Sequence, residues 1–356
     1  MFELFNNQPF LPTLWFAIVG FFWVGYIILD GFDLGVGMLM SRFFARSEKE
    51  RRLLLNTIGP VWDGNEVWVV TAGAATFAAF PLWYASLFSA LYIPLTLVLL
   101  ALIMRAVAIE YRGKGTSEQW IRLWNTSISL GSFLIAFLVG ALLGLTSTGL
   151  PLNENGDRVG GAFAWLTPFA ILGGLSMVGI SLTMGLAFIA LKTDGPIRQR
   201  ARQLLVKAAP LLLLPAIGWV LYMQISTGNL LSYSLTGLAV LALLAALAFG
   251  RQGSEGRAFA GFAAFTAAGV LAIFLALYPN LLPSTLEPAY SLTVANASSS
   301  SYTLGVMSWV ALFGVPILLV YQGWTYWVFR RRLTIESIPE AHDVSELAKL
   351  PSKVSL

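Results

Sequence analysis

Nine stretches of the chain are apolar over enough residues to cross a lipid bilayer, and this pattern limits the fold more than any other feature. A transmembrane helix needs about 20 predominantly apolar residues. The nine segments are 13–40, 58–80, 82–109, 122–147, 162–191, 204–226, 231–249, 257–279 and 302–329. The composition agrees, since 57% of the residues are hydrophobic and only 11% are charged. We therefore expect an all-α, multi-pass integral membrane protein.

The basic residues predict how these segments are oriented. Loops rich in Lys and Arg remain on the cytoplasmic side of a membrane. With nine spans and the amino terminus outside, 21 of the 22 basic residues fall on the cytoplasmic side, and only Arg158 falls outside. One span more or fewer would move every later loop across the membrane and destroy this partition. The sequence therefore predicts an outside amino terminus and a cytoplasmic carboxyl terminus, and the net charge of +4 reflects the inner loops.

The order of the segments predicts one membrane domain, residues 1–330, followed by a short cytoplasmic tail, residues 331–356. The first segment has no basic residue before it, so we interpret it as a retained helix and not as a cleaved signal peptide. Eight helices can form two four-helix bundles, with one helix left over. Pro210 and Pro215 predict kinks in the sixth segment. The triplet at 296–298, Asn-Ala-Ser, fits a glycosylation acceptor but is common by chance.

The membrane segments lack the usual ligands of redox metals. The chain has no cysteine, and its only histidine, His342, lies in the polar tail. Disulfides, thiolate ligands and iron–sulfur clusters are therefore excluded, and methionine and tyrosine are the ligands that remain for a haem or copper centre. We expect no cofactor or metal to be bound by this chain alone.

Four acidic residues and one arginine occupy the predicted membrane segments. Asp30 and Asp33 lie in the first segment, Asp63 and Glu66 near the start of the second, and Arg105 near the end of the third. In the predicted orientation all five lie in the cytoplasmic half of the bilayer. A charge at the bilayer centre costs about 2.5–3.5 kcal/mol even on insertion scales, so such residues usually face a protein interior or an aqueous path.

Spacing places each acidic pair on one helix face, because residues three apart in a helix are neighbours. We expect the two pairs to face each other, Arg105 or a partner subunit, and to form a path for protons. Two structural alternatives remain open: the acids can serve as packing residues paired with Arg105, and Asp63 or Asn65 can cap a helix. Gly31 and Gly35 have the spacing at which small residues let two membrane helices approach closely.

Two classes of function fit these residues. One is a proton-conducting subunit of a larger energy-converting complex, and the other is a proton-coupled secondary transporter. A transporter is expected to have discontinuous helices and matching features in its two halves. The acids here are confined to the first two segments, which favours the first class without deciding between them.

Three stretches resemble subunit II of the cytochrome bd-type quinol oxidases. They are LDGFDLGVGML (29–39), RRLLLNTIGPVWDGNEVWVVTAGAATFAAFP (51–81) and SLTVANASSSSYTLGVMSWVA (291–311), and the resemblance extends over nearly the whole chain. It implies a terminal oxidase of the prokaryotic cytoplasmic membrane, which oxidises a quinol and reduces oxygen to water. It also implies a haem-free subunit, whose partner, subunit I, holds haem b and haem d.

The resemblance also implies roles for particular residues and further partners. Asp30, Asp33, Asp63, Glu66 and Arg105 match motif positions that belong to the proton path and the subunit interface. Single-helix accessory subunits and a structural quinone occur in some members of the family. We therefore expect a heterodimer that conserves energy by releasing protons outside and consuming protons from inside, without a pump.

Overall fold

The computed structural model describes residues 9–115 and 117–338, and most of these residues are helical. The helices are α1 (Phe10–Leu39), α2 (Glu48–Ile58), α3 (Trp62–Ala79), α4 (Pro81–Ala90), α5 (Tyr92–Tyr111), α6 (Glu118–Thr148), α7 (Pro168–Lys192), α8 (Pro196–Leu212), α9 (Leu214–Thr227), α10 (Leu230–Gln252), α11 (Glu255–Leu277) and α12 (Ser301–Val328). Two short antiparallel strands, β1 (Asn280–Leu282) and β2 (Leu292–Thr293), lie in the loop before α12. The all-α fold predicted from the sequence is confirmed.

Eight helical segments of the described chain are long and apolar enough to cross a membrane. They are α1, α5, α6, α7, α8 with α9, α10, α11 and α12. The ninth predicted span, 58–80, corresponds to α3, which has 18 residues. Asp63, Asn65 and Glu66 in its first turns lower its mean hydropathy, so the ninth crossing and the orientation that depends on it stay predictions.

Two predicted spans are interrupted in the structure. The predicted span 82–109 is interrupted near its start, because α4 ends at Ala90 and α5 begins at Tyr92. Pro94 has no amide hydrogen to donate to the carbonyl group of Ala90, which disfavours a continuous helix here. The sixth span breaks at Leu213, between α8 and α9, as the two prolines predict.

The longer helices form two groups, and α12 belongs to neither. In the first group, α1 contacts α3 and α6, and α6 contacts α5. In the second group, α7 contacts α8, α9 and α11, and α11 contacts α10. Extensive contacts of α7 with α1 and with α6 join the two groups, and α12 lies against α1 and α3. The predicted pair of four-helix bundles with one additional helix stays a prediction.

Glycine permits the close approach of α1 and α7. A Cβ atom added at Gly35 would lie 1.8 Å from the carbonyl oxygen of Ser181 and 2.9 Å from the Cα atom of Gly185. At Gly31, one turn earlier, the nearest atom would be the Oγ atom of Ser181 at 3.9 Å, which is an ordinary contact. The helices therefore cross at Gly35, and only there does the contact exclude a side chain.

Ion pairs connect the loops at one end of the molecule. Arg200 of α8 donates hydrogen bonds to the carbonyl oxygen of Phe44 and to the carboxylate of Glu50 in α2, each at 2.8 Å. Burial raises the pKa of Glu50, but the hydrogen bonds from Arg200 and from the Arg46 amide outweigh this effect and hold the pKa below its ordinary value. Glu50 is therefore ionised at neutral pH, and the pair fixes α2 against α8.

The described chain covers only part of the predicted tail. Residues 339–356, which include His342, lie outside the described residues, so the division at residue 330 stays a prediction. In the loop before α12, the Asn296 side chain accepts a hydrogen bond from the Thr293 amide at 2.7 Å and donates one to the Ser291 carbonyl at 3.1 Å. Because this amide is part of the loop's own turn, the structure disfavours its use as a glycosylation acceptor.

We predict that Gly35→Ala destabilises the protein, because the added methyl group must push α1 away from α7. Overpacking of this kind costs about 1–3 kcal/mol, and the thermal unfolding midpoint should fall accordingly. Gly237→Ala is the matched control, since a Cβ atom at this helical position in α10 meets no atom within 4 Å. Equal unfolding midpoints for the two variants would contradict the close crossing at Gly35.

Candidate functional site

Three of the predicted ionisable residues meet between α1, α3 and α5. Arg105 lies within ion-pair distance of Asp30, with 3.7 Å between its Nη1 atom and the Asp30 Oδ1 atom. The same guanidinium donates a hydrogen bond to the Glu66 carboxylate. The side chains of Arg105 and Asp30 are completely buried, whereas that of Glu66 is 18% exposed. We call Asp30, Glu66 and Arg105 the acid–arginine cluster.

Several polar atoms of this cluster are buried without a hydrogen-bond partner among the described residues. They are both carboxylate oxygens of Asp30 and the Nε and Nη2 atoms of Arg105. The hydroxyl group of Tyr26, one turn before Asp30 on α1, faces the Asp30 carboxylate. Nearly all buried polar groups in proteins are paired, and exceptions often mark a functional role. The cluster is therefore a candidate functional site and not only a structural ion pair.

Asp33 belongs to a second set of contacts, centred on Asn65. The Asn65 amide group donates to the Asp33 carboxylate at 2.6 Å and to the Leu29 carbonyl at 3.2 Å. Its carbonyl oxygen accepts from the Gln322 amide and from the Tyr326 hydroxyl, each at 2.7 Å. We call Asp33, Asn65, Gln322 and Tyr326 the Asn65 network. It links α12 to α1 through α3.

The sequence interpretation missed the partners of Asp33. It treated Asn65 only as a possible helix cap, whereas the side chain is fully buried and bridges three helices. Gln322 and Tyr326 were not singled out, although they lie four apart in the last apolar segment and so share one helix face. A glutamine within a membrane helix is itself a signal, because lipid offers its amide no partner.

The structure places Asp63 apart from the acid–arginine cluster. Its side chain is exposed in the first turn of α3 and accepts a hydrogen bond from the Gly64 amide at 2.7 Å. Val61, not Asp63, occupies the position that precedes the helix. Asp63 nevertheless lies one turn before Glu66, so the two acids follow one another along the same face of α3.

Metal-binding chemistry does not fit this site. Within residues 9–115 and 117–338, no group of three or more histidine, cysteine, aspartate or glutamate side chains is arranged to hold a metal ion. The buried charge at the centre of the cluster is a guanidinium, which repels a cation. Histidine and cysteine, the commonest haem ligands, are absent from the membrane segments.

Comparison with known proteins decides the family. Residues 11–329 match the family model of cytochrome bd terminal oxidase subunit II. The chain belongs to this family. It is 38% identical over 329 residues to a Bacillus subtilis cytochrome bd ubiquinol oxidase subunit 2, and the match covers 91% of this chain and 97% of that protein. It is 34% identical over 366 residues to the Escherichia coli cytochrome bd-I ubiquinol oxidase subunit 2, with 92% and 96% covered.

The fold agrees with a solved member of the oxidase class. A chain in the structure of bd oxidase from Geobacillus thermodenitrificans superimposes with a TM-score of 0.70 at 20% identity, and the match covers 90% of this chain and 98% of that chain. The resemblance noted in the sequence is thus confirmed, and the transporter alternative is not supported. As a subunit II, the chain is a multi-pass bacterial membrane protein, and its family implies a partner subunit I and haems in the complex.

We predict that Arg105→Met destabilises the assembled complex by about 3–5 kcal/mol, because it leaves two buried acids without a positive partner. Removing all three charges together, as Arg105→Met with Asp30→Asn and Glu66→Gln, should restore most of the lost stability. Thermal unfolding of the purified complex measures both. Arg122→Met, at an exposed arginine of α6, is the control. A triple variant as unstable as the single variant would show that charge compensation does not hold the cluster together.

Proposed function

We propose that this chain is the haem-free second subunit of a quinol:oxygen oxidoreductase, and that it conducts protons from the cytoplasm toward a haem-bearing partner. The observation that carries the proposal is the acid–arginine cluster, in which ionisable groups extend from the surface of α3 into the protein core. The curated relatives support the reaction class, since their names describe them as ubiquinol oxidase subunits.

The acids form a series of decreasing exposure. Asp63 is exposed, Glu66 is 18% exposed, and Asp30 is completely buried. Asp63 and Glu66 are separated by about 4.5 Å along the axis of α3. A proton that binds first at Asp63 can thus pass to Glu66 and then to Asp30, which shares the Arg105 guanidinium with Glu66.

Arg105 has a separate role in this scheme. Its guanidinium stays protonated at physiological pH, so it accepts no proton itself. Its fixed charge compensates Asp30 and Glu66 whenever either acid is deprotonated. Arg105 therefore allows the carboxylates to release a proton while they remain buried.

The orientation completes the scheme. With the amino terminus outside and nine spans, α3 begins at the cytoplasmic surface, and Asp63 is the acid nearest to that surface. Protons consumed in oxygen reduction are then taken from the inside, while quinol oxidation releases protons outside. This arrangement separates charge across the membrane without a pump.

We place the partner subunit against the open faces of α3, α5 and α12. Asp63 is exposed and Glu66 is partly exposed on α3, and lipid would penalise ionisable groups there. α12 is also the candidate span that the rest of the described chain covers least, with 6% of its most apolar stretch buried. Its large exposed side chains include Trp309, Trp324 and Trp327. Aromatic residues of this kind are enriched at protein interfaces.

Both haems, b and d, belong in our proposal to the partner subunit, because the membrane segments of this chain lack histidine and cysteine. The quinol is oxidised at the partner as well. Single-helix accessory subunits and a structural quinone, which the family resemblance suggests, remain further candidates for partners of this chain. An apolar cavity of about 140 Å³ between the two helix groups, lined in part by Trp23, Trp83 and Phe274, is the space for an apolar occupant.

We predict that this chain, purified without its partner, has no stoichiometric haem absorbance. The physical reason is the absence of histidine and cysteine ligands in its membrane segments. A reduced-minus-oxidised absorbance spectrum is recorded for the chain alone and for the co-expressed complex, which serves as the positive control. A haem spectrum from the chain alone would overturn the assignment and require a methionine or tyrosine ligand.

We predict that Asp63→Asn slows oxygen reduction by about tenfold or more, as expected when a side chain that transfers protons is lost. Asparagine keeps the shape of the side chain but cannot exchange a proton. Haem content and haem reduction by quinol should stay normal, while proton uptake from the cytoplasmic side of vesicles should fall.

Asp157→Asn is the matched control, because Asp157 is an exposed aspartate on the predicted outer side. A loss of haem in Asp63→Asn would indicate a structural role instead. Full turnover with unchanged proton uptake would remove Asp63 from the path.

A further inference from the structure

A groove of about 670 Å³ lies between the first turns of α8 and the last turn of α10, in the second group of helices. It lies away from α3 and α5 and beside the segment that follows α12, since the Asp194 amide donates a hydrogen bond to the Leu333 carbonyl at 3.0 Å. Its charged lining residues are Asp194, Arg198, Arg202, Lys207 and Arg251. Four of these five side chains are basic, so the groove has a strong positive excess.

Only one of the four basic side chains has an acidic partner. Arg198 lies 2.8 Å from the Glu255 carboxylate and 3.4 Å from that of Asp194. Lys207 and Arg251 are exposed, and in the part of the chain that the structure describes neither side chain has an ion-pair or hydrogen-bond partner. Their charges are therefore available to an anion.

Arg202 is held in place by the backbone. It donates hydrogen bonds to the carbonyl oxygens of Gly250 and Arg251, at 3.4 and 3.2 Å, and meets no carboxylate. A Cβ atom at Gly253 would lie 2.6 Å from the Arg202 Cζ atom, and Gly253 has a φ of +79°. Glycine at this turn thus lets the guanidinium lie against the end of α10. The groove therefore contains one cation held by the backbone and two cations without an acidic partner among the described residues.

The groove lies at the depth of lipid headgroups. α8 and α9 together span residues 196–227, or 32 residues. At 1.5 Å per residue they are about 48 Å long, whereas the hydrocarbon core is about 30 Å thick. The excess length falls at the first turns of α8, which carry Arg198, Arg200 and Arg202 and so extend beyond the hydrocarbon core. These turns lie at the end of the molecule where Arg200 contacts Glu50. The same end carries most of the basic loops.

Apolar side chains continue from the groove along the same helix faces. Leu211, one turn after Lys207 on α8, is 70% exposed, and Leu244, two turns before Arg251 on α10, is 58% exposed. A soluble anion would use only the basic residues. A molecule with an anionic head and long apolar chains would use both surfaces.

We propose that this groove is a binding site for one anionic phospholipid. Its phosphate is bound by Arg202, Lys207 and Arg251, and its acyl chains lie along Leu211 and Leu244. Basic pockets between membrane helices on the cytoplasmic side commonly bind such headgroups. The site is independent of the proton path, and it holds the start of α8 and the end of α10 together through a shared ligand.

The test uses the whole oxidase complex with the double variant Lys207→Gln/Arg251→Gln, which leaves Arg202 in place. Binding of phosphatidylglycerol is measured by native mass spectrometry from mixed micelles, with phosphatidylcholine as the neutral lipid. Each basic residue near an anionic headgroup contributes about a fivefold factor, so the variant should bind phosphatidylglycerol about 25-fold more weakly. Phosphatidylcholine binding should not change.

Two controls separate a specific site from general charge. Lys207→Arg/Arg251→Lys keeps both charges and should bind phosphatidylglycerol nearly as well as the unmodified complex. Arg42→Gln/Lys49→Gln removes two exposed basic residues elsewhere at the same end of the molecule and should leave binding unchanged. Equal losses in the two charge-removing variants would overturn the proposal.

A third arm distinguishes the source of the phosphate. Inorganic phosphate is added to the delipidated complex, and the thermal unfolding midpoint is compared with that after addition of phosphatidylglycerol. We expect stabilisation by the lipid alone, and this stabilisation should be absent from Lys207→Gln/Arg251→Gln. Equal stabilisation by inorganic phosphate would show that the groove binds a soluble anion and not a lipid.

Discussion

The buried charge of Arg105 is the constraint on which the arrangement of the first helix group depends. A guanidinium cannot be neutralised by losing its proton, so the fold must bring negative groups to it. Asp30 of α1 and Glu66 of α3 meet this requirement, and they do so from two different helices. One side chain thereby fixes the relative rotation of α1, α3 and α5, because the lipid bilayer offers the guanidinium no other hydrogen-bond partner.

The contact between α1 and α7 depends on the opposite property, the absence of a side chain. At Gly35 and Gly185 the two backbones approach so closely that the contact has no space for a methyl group. α1 therefore serves both groups of helices. One face carries Asp30 and Asp33 toward α3 and α5, and another face packs its glycine against α7. A single sequence motif, GFDLG at 31–35, supplies both functions within little more than one turn.

The sequence predicted the features that depend on residue type and failed where they depend on which atoms meet. Long apolar segments predicted the helices, and acids within them predicted that Asp30, Glu66 and Arg105 matter, because each such group is costly in lipid. Asn65 escaped notice, since an amide near a helix start fits capping equally well. Only the rotation of α3 brings it between Asp33 and Tyr326. The break at Leu91 was also missed. Hydropathy does not report that Pro94 lacks the amide hydrogen needed for a continuous helix.

The Asn65 network also bears on the order in which the protein assembles. α12 follows the other eleven described helices in the chain, yet it supplies Gln322 and Tyr326 to an amide that lies in α3. Chains fold from the amino terminus as they are synthesised. More than 200 residues separate Asn65 from Gln322, so α3 is synthesised well before the hydrogen-bond partners that α12 supplies. Until α12 is inserted, the carbonyl group of Asn65 has neither partner. The first helix group is therefore complete only when the whole chain has been made. A chain truncated before α12 would leave the Asn65 carbonyl group without these partners, and such a polar surface in the membrane is a mark by which a defective protein can be recognised and removed.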